Sequence, residues 1–149
     1  MPIGSWTVTD GDTPRKPRVH GLGGVFFKAR DPAALSQWYA RHLGIDAQDW
    51  GGALLHWNRA DTGESACTVW APFKADTEYF QPSDKPYMLN YRVDDLAGTL
   101  AALRAEGCQV LDRYEESEQG KFGYVVDPEG ALIELWEPNP DDASTTPPA

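Results

Sequence analysis

The sequence predicts an α+β fold in which one β-α-β-β-β module occurs twice in tandem. Two helix starts, Asp31-Pro32 and Asp95-Leu96, lie 95 − 31 = 64 residues apart. Two closing tripeptides, Trp70-Ala71-Pro72 and Trp136-Glu137-Pro138, lie 136 − 70 = 66 residues apart. Because the two spacings differ by only two residues, the sequence repeats a whole structural unit. We therefore expect a mixed or antiparallel sheet with two helices, and a pair of ferredoxin-like β-α-β units is the alternative architecture.

In the first module, a strand-like run at 25–29 leads into a helix that begins at Asp31 and ends at Gly44. Aspartate caps the first helical amides, and the proline after it fits the first helical position, where its missing N–H is not needed. Glycine readily adopts the left-handed conformation that ends a helix. Three further strand-like runs are expected, at 46–50 (the weakest), 53–57 and 67–71.

The second module repeats this order. A strand at 89–93 precedes a helix that is capped by Asp94 or Asp95 and ends at Gly107. The expected strands after it are 109–114, 122–126 and 131–136. Asp127-Pro128-Glu129-Gly130 has the composition of a tight turn, so we expect a hairpin between the last two strands.

A chain of 149 residues with 41% hydrophobic residues suits one domain with a packed core. That domain is expected at 19–138, with modules at approximately 19–73 and 86–138. Residues 1–18 have no periodicity and are predicted to form a mobile N-terminal arm. Residues 139–149 have the composition of a disordered tail.

Charge and cysteine content narrow the possible partners. The formal net charge is 13 − 23 = −10, which argues against binding to nucleic acid or to an anionic membrane. No apolar run is long enough to span a membrane, and the N-terminus lacks the pattern of a signal peptide. Cys67 and Cys108 stand in different modules and form no metal-binding spacing. We therefore expect a cytoplasmic protein.

The chain carries a longer motif at its end, Asp127-Pro128-Glu129-Gly130-x-x-x-Glu134-Leu135-Trp136-Glu137-Pro138, and helix starts of the Arg-Asp-Pro or Asp-Asp-Leu kind. Over roughly residues 20–138 it resembles the glyoxalase/bleomycin-resistance/extradiol-dioxygenase superfamily, also called vicinal oxygen chelate proteins. The resemblance implies a curved, cup-like sheet with the active site on its concave face. It also implies a homodimer.

The resemblance further implies four metal-ligand positions on strands that face the cup. Counting back from the helix starts and aligning the closing tripeptides puts these positions at Gly24, Thr68, Met88 and Glu134. Glu134 alone is a residue type that binds transition metals strongly. We therefore expect no bound metal and no other cofactor.

Alternation of side chains along each strand predicts the residues that face the cup. Glu134 is the candidate catalytic residue, because a carboxylate in an apolar cup can have the perturbed pKa that proton transfer needs. The alternative is a structural ion pair of Glu134 with Arg92 or Lys28. Candidate substrate-binding residues are His56, Asn90, Arg92, Tyr124, Trp70 and Trp136. A rim position for His56 and core positions for both tryptophans are the alternatives.

Three functions remain open. The first is a metal-independent lyase or isomerase that uses Glu134 in proton transfer. The second is a non-catalytic protein that binds and sequesters a small-molecule ligand, as the bleomycin-resistance branch does. The third is an interaction module whose cup is filled by its own side chains, among them Met88 and Phe26. The sequence does not decide whether the protein is an enzyme.

Overall fold

The computed structural model describes residues 19–140. Seven strands form one mixed sheet in the order β2-β3-β1-β4-β7-β6-β5, and the pairs β1–β3 and β4–β7 are parallel. The elements are β1 (Val19–Ala29), α1 (Pro32–Leu43), β2 (Ala53–Asn58), β3 (Ser65–Lys74), β4 (Tyr87–Val93), α2 (Leu96–Ala105), β5 (Gln109–Ser117), β6 (Gly120–Val126) and β7 (Leu132–Pro138). The sheet is open and curved, and the predicted α+β class is confirmed.

The predicted helix ends and the final turn are also confirmed. The Asp31 side chain accepts a hydrogen bond from the Ala34 amide, and Asp95 caps α2 through the Gly98 amide. Gly44 ends α1 with a φ of 74°, a left-handed conformation that glycine adopts without strain. Between β6 and β7, the Asp127 N–H donates to the Ala131 carbonyl at 2.9 Å, which closes the expected hairpin.

One predicted strand is wrong. Residues 46–50 form a turn, in which the Gly51 amide donates to the Gln48 carbonyl and the Gln48 amide donates to the Gly52 carbonyl. These local bonds occupy the backbone groups that a strand would offer to a neighbour. The first module is therefore β-α-β-β, and only the second has all four expected strands.

Both helices lie on one face of the sheet. The buried leucines of α2 are Leu96 and Leu100, which pack against Val93, Val125 and Leu135. On α1, the Tyr39 ring lies 4.9 Å from the Trp70 ring of β3. Burial of these apolar side chains is the main stabilisation of the helix layer.

The other face of the sheet is concave and has its own apolar cluster. Phe26, Met88, Tyr124 and Leu132 are buried there, each from a different strand. Residues 75–86, which join the two modules, add Phe80 to this cluster. The cup is therefore filled in part by the protein's own side chains, as the third function would require, but a cavity remains beside them.

The predicted N-terminal arm, 1–18, lies outside the described residues, as does the predicted tail from residue 141 onward. Asn139 is described, and its side chain donates to the Glu118 carbonyl at 2.7 Å. Within 19–140, neither helix is long and apolar enough to cross a membrane.

Candidate functional site

A cavity of about 490 Å³ opens on the concave face of the sheet, and we refer to it as the cup cavity. Both modules and the segment that joins them contribute to its wall. It is lined by Gly23, Phe26, Trp50, Gly51, Val69, Ala71, Pro72, Phe73, Tyr79, Asn90, Glu115, Ser117, Gln119, Phe122, Glu134 and Trp136. Its volume is in the usual range of small-molecule binding sites.

Glu134 lies at the floor of this cavity and is 2% exposed. Asn90 Nδ2 donates to Glu134 Oε1 at 2.7 Å. The hydroxyls of Tyr79 and Tyr124 lie 2.6 and 2.7 Å from Glu134 Oε2. A buried carboxyl group is costly unless it is hydrogen-bonded, and these three donors meet that requirement without a cation. The alternative of an ion pair with Arg92 or Lys28 is therefore wrong.

The two tyrosine hydroxyls also lie 2.9 Å from each other. The two hydroxyl oxygens and Glu134 Oε2 therefore form a closed triangle. Each hydroxyl has one proton. When Glu134 is ionised, two protons are available for three oxygen–oxygen contacts, so at most two of the contacts can be full hydrogen bonds. When Glu134 is protonated, a third proton becomes available and every contact can be a hydrogen bond. The triangle can therefore hold a proton on Glu134 or give it up.

Burial is the largest influence on the ionisation of this cluster. It raises the pKa of Glu134 above the ordinary 4.5, although the hydrogen bonds from Tyr79, Tyr124 and Asn90 act in the opposite direction. Burial, followed by the nearby Glu134 charge, also raises the pKa of both tyrosines. The tyrosines therefore keep their protons, and Glu134 is the group of this cluster that releases a proton most readily.

Arg113 of β5 supports the cluster through the tyrosine rings. Its guanidinium carbon lies 4.5 Å from the centre of the Tyr79 ring and 4.0 Å from that of Tyr124. Its Nη1 also donates to the Tyr79 carbonyl at 3.2 Å. These cation–π and backbone contacts fix Tyr79, which belongs to the joining segment, against the sheet.

Aromatic side chains supply much of the cavity wall. The rings of Phe122 and Trp136 stack with their centres 5.9 Å apart. Phe26 and Phe73 meet edge to face at 5.4 Å. Trp50, from the turn before β2, also lines the cavity, and its Nε1 has no hydrogen-bond partner among the described residues. Such a wall suits a flat or apolar ligand body.

Several predicted placements are confirmed. Tyr124 pairs with Glu134 across the β6–β7 hairpin, and Asn90 pairs with Glu134 between β4 and β7. Asn90, Glu134 and Trp136 all line the cavity. Tyr124 is fully buried behind Glu134 and reaches the cavity only through that carboxyl group.

The predicted direction of Trp70 is wrong, because Val69 and Ala71 of β3 line the cavity, and Thr68 and Trp70 do not. Asn90 lies beside Glu134, and Phe26, which precedes Asn90 by the 64 residues between the helix starts, lies beside Ala71. The residue that corresponds to Glu134 is therefore Ala71 and not Thr68. A shift by an odd number of residues exchanges the two faces of a strand. Trp70 consequently packs on α1.

His56 does not lie in the site, contrary to the prediction. It is an exposed residue of the end strand β2, opposite Cys67, while Leu55 takes the place opposite Thr68. The turn before β3 is longer than the hairpin of the second module, so the pairing could not be carried over between them.

Arg92 is also outside the cavity lining. It is 3% exposed, and its guanidinium lies between the rings of Trp57 and Trp136, 5.7 and 5.1 Å from their centres. Trp136 therefore separates the two regions: it borders the cavity and also packs on Arg92. This placement does not support the predicted contact of Arg92 with substrate.

Sequence reasoning missed Tyr79 and Arg113. Tyr79 lies in the joining segment, which has no strand or helix periodicity, and no motif marks it. Arg113 falls in the predicted strand 109–114, but its contact depends on where Tyr79 lies. Only the three-dimensional arrangement reveals that either residue touches the Glu134 cluster.

The described residues do not fit the superfamily's divalent metal. With the corrected register, the four positions are Gly24, Ala71, Met88 and Glu134, and three of them lack a side chain that binds such metals. Within residues 19–140, no group of three or more His, Cys, Asp or Glu side chains is arranged to hold a metal ion. Asn90 donates to Glu134 Oε1, and Tyr79 and Tyr124 donate to Oε2.

Comparison with protein families gives one match, and it covers most of the chain. Residues 24–136 match the model of the glyoxalase-like domain. No curated protein sequence matches the chain.

Several solved structures share the fold. Methylmalonyl-CoA epimerase from Mycobacterium tuberculosis is 20% identical, with a TM-score of 0.54 over 87% of this chain and 95% of that one. A Streptomyces coelicolor methylmalonyl-CoA epimerase variant in complex with 2-nitronate-propionyl-CoA is 15% identical, with a TM-score of 0.58 over 86% and 99%. A glyoxalase/bleomycin resistance protein/dioxygenase superfamily member from Vibrio splendidus 12B01 is 14% identical, with a TM-score of 0.50 over 76% and 97%. At these identities the similarity establishes the fold.

Proposed function

Since the chain belongs to the glyoxalase-like domain family of the vicinal oxygen chelate superfamily, we propose that its cup cavity binds a small molecule and that Glu134 exchanges a proton with it. The protein then acts as a metal-independent isomerase or lyase. The observation that carries this proposal is the Glu134 carboxyl group at the floor of an apolar cavity, held by three neutral donors.

The position of the donors leaves a suitable site for the proton. Glu134 Oε2 takes both tyrosine hydroxyls, whereas Oε1 takes a single bond from Asn90. A carboxylate oxygen accepts two hydrogen bonds, so Oε1 has capacity left on the ligand side. A raised pKa brings the group closer to neutral pH, where an acid–base catalyst is most effective.

The reaction class is proton abstraction from a carbon next to a carbonyl group, followed by return of the proton or loss of a leaving group. Glu134 takes the proton at Oε1. Tyr79 and Tyr124 donate to Oε2 and stabilise the carboxylate before transfer, and they remain hydrogen-bonded to Oε2 afterwards. Acid–base catalysis of this kind contributes about 10²–10⁴-fold to a rate.

The structural neighbours support this class, but they do not support a particular substrate. Among them are methylmalonyl-CoA epimerases, which are isomerases, in complexes named with methylmalonyl-CoA or 2-nitronate-propionyl-CoA. No lysine, arginine or histidine is among the described residues that line the cup cavity. The cavity therefore offers no cation for the phosphates of a CoA ester, and we do not propose such a ligand.

The second candidate is a non-catalytic protein that binds and sequesters its ligand, as in bleomycin resistance. The aromatic wall favours it, because Phe26, Phe73, Phe122 and Trp136 provide binding surface and no reactive group. In this case Glu134 anchors the ligand and moves no proton.

Proton exchange in D₂O separates the two candidates. Candidate carbonyl compounds are incubated with the protein, and loss of the C–H signal next to the carbonyl is followed by proton NMR. Binding is followed in parallel by the rise in melting temperature. Glu134→Gln removes the carboxylate, and Glu129→Gln removes the same charge from the exposed β6–β7 turn.

The enzyme proposal expects exchange that Glu134→Gln abolishes and Glu129→Gln retains. Stabilisation by a ligand without exchange, lost in Glu134→Gln, favours sequestration. Binding that Glu134→Gln leaves unchanged contradicts both.

We also propose that the protein forms a homodimer. Among the described strands, β2 and β5 end the sheet, and they expose Leu55 and Tyr114. Open strand edges and exposed apolar side chains are commonly covered by association. Location in the cytoplasm stays a prediction from the cysteine content.

A further inference from the structure

Asn90 has an unused hydrogen-bond acceptor at the floor of the cup cavity. The residue is 2% exposed and lines the cavity. Its Oδ1 is itself buried, next to Gly23 in the cavity wall, and receives no hydrogen bond from the described residues. Its Nδ2 faces Glu134 Oε1 at 2.7 Å. An ionised carboxylate only accepts hydrogen bonds, so beside ionised Glu134 the Asn90 amide nitrogen faces the carboxylate and Oδ1 faces away from it. In that state the free end of the Asn90 amide is an acceptor.

Glu134 Oε1 is a second acceptor beside it. It receives the Asn90 bond and no other from the described residues, so one of its two lone pairs is available. Asn90 and Glu134 are paired on adjacent parallel strands, so both acceptors belong to one patch of the floor. A ligand group that satisfies this patch has to bring at least two donors.

The charge of the lining points in the same direction. Two carboxyl side chains line the cavity, Glu134 at the floor and Glu115. None of the described lining residues is basic. The net charge of the whole chain is −10. A positive ligand is attracted to such a cavity, whereas a carboxylate or phosphate is repelled.

We propose that the group that reaches the cup floor is a protonated amine attached to an aromatic or apolar body. An ammonium group brings several N–H donors and a positive charge, which match the two acceptors and the carboxylate. A hydroxyl group brings one donor and no charge. The aromatic wall formed by Phe26, Phe73, Phe122 and Trp136 accommodates the body. The inference rests on the binding part of the proposed function, because it uses the same cavity and the same carboxyl group. An ammonium group on Oε1 fills the position that would take a proton, so such a ligand is bound and not turned over.

Three probes of nearly equal size test the amine against the other groups. Benzylamine is positive at pH 7.5, benzyl alcohol is neutral and benzoate is negative. Isothermal titration calorimetry measures each with the wild-type protein, Glu134→Gln, Glu129→Gln and Asn90→Ala. Asn90→Ala removes Oδ1 together with the Nδ2 bond to Glu134 Oε1, but it keeps the carboxylate, so it gives a second measurement should Glu134→Gln fold poorly.

We expect benzylamine to bind at least about tenfold more tightly than benzyl alcohol, and benzoate not to bind. Glu134→Gln and Asn90→Ala should each weaken benzylamine by about tenfold or more, with Glu129→Gln within about twofold of the wild type.

The proposal is overturned if benzyl alcohol or benzoate binds as tightly as benzylamine, if Glu134→Gln binds benzylamine unchanged, or if benzylamine shows no binding at millimolar concentration. Failure of the two proposals can be distinguished. Preference for a neutral or anionic probe that is lost in Glu134→Gln overturns the amine alone and leaves the proposed function in place. Binding of any probe that is independent of Glu134 counts against the proposed function as well.

Discussion

The hydroxyls of Tyr79 and Tyr124 lie 2.9 Å apart and meet on one oxygen of the Glu134 carboxyl group. One tyrosine comes from the segment between the modules and the other from β6. The segment that joins the modules thus meets the second module at the residue to which we assign the chemistry. This arrangement supplies hydrogen bonds to a buried acid without a metal or a cation.

The first prediction concerns the pH dependence of stability. Burial raises the pKa of Glu134 in the folded protein above the 4.5 of an exposed group, so the folded state binds the proton more tightly than the unfolded state. The stabilisation from the neutral form is complete below pH 4.5 and is lost as the pH rises through the folded pKa. Glu134→Gln has no such loss. Relative to this variant, the wild type should lose up to about 1.4 kcal/mol per pH unit in that window.

Urea unfolding of both proteins at a series of pH values from 4 to 8 measures this difference, and Glu129→Gln serves as the charge-matched control. A wild type that gains stability relative to Glu134→Gln as the pH rises would show that the carboxylate is stabilised by its partners more than burial penalises it.

The second prediction concerns the two tyrosines. Tyr79→Phe and Tyr124→Phe each remove one donor from Glu134 Oε2, and a hydrogen bond to a charged group contributes about 1.5–3 kcal/mol. Because the hydroxyls share an acceptor and also contact each other, the double variant should differ from the sum of the single ones by at least about 0.5 kcal/mol. A double-mutant cycle by urea unfolding at pH 8 measures the coupling, and strict additivity would rule out the shared cluster.

The third prediction concerns Gly23. A Cβ atom there would lie 2.3 Å from Asn90 Oδ1 and 2.9 Å from both Arg92 Cγ and Trp136 Cε3. Gly23→Ala should therefore displace the Asn90 amide, weaken ligand binding and lower the free energy of unfolding by about 1–3 kcal/mol. Repeating the substitution in an Asn90→Ala background is the control, since part of the cost should disappear. An equal loss of unfolding free energy in both backgrounds would show that the Asn90 side chain is not affected by the substitution.

The fourth prediction concerns assembly. Light scattering at micromolar concentration should give twice the mass of the chain, because the end strands β2 and β5 have exposed edges. Leu55→Lys on β2 and Tyr114→Lys on β5 identify the edge that is used: the substitution at the interface should favour the monomer, and the other should not. A monomeric wild type contradicts the proposal.

Much of the fold could be predicted because local signals marked its boundaries. Asp31 and Asp95 cap helices, and Asp127 to Gly130 form the tight turn, for reasons contained within a few residues. Side-chain alternation then placed Glu134 and Asn90 correctly, since the hairpin fixes the register of the second module.

The first module was harder because its register depends on contacts distant in sequence. The two Trp-x-Pro tripeptides look equivalent, yet Trp70 packs against α1 and Trp136 borders the cup cavity. The position of Tyr79 could not be predicted, since it depends on how residues 75–86 cross the concave face. This segment has no helix or strand periodicity from which its course could be inferred.

Crystals soaked with a set of small aromatic amines, alcohols and carbonyl compounds give the most direct test of the central claim, that the cup cavity is a binding site governed by Glu134. We predict that bound molecules collect in this cavity with a polar atom within hydrogen-bond distance of Glu134 Oε1. An empty cavity beside occupied sites elsewhere on the surface would contradict the claim, as would a Glu134 side chain that points into the helix-facing core.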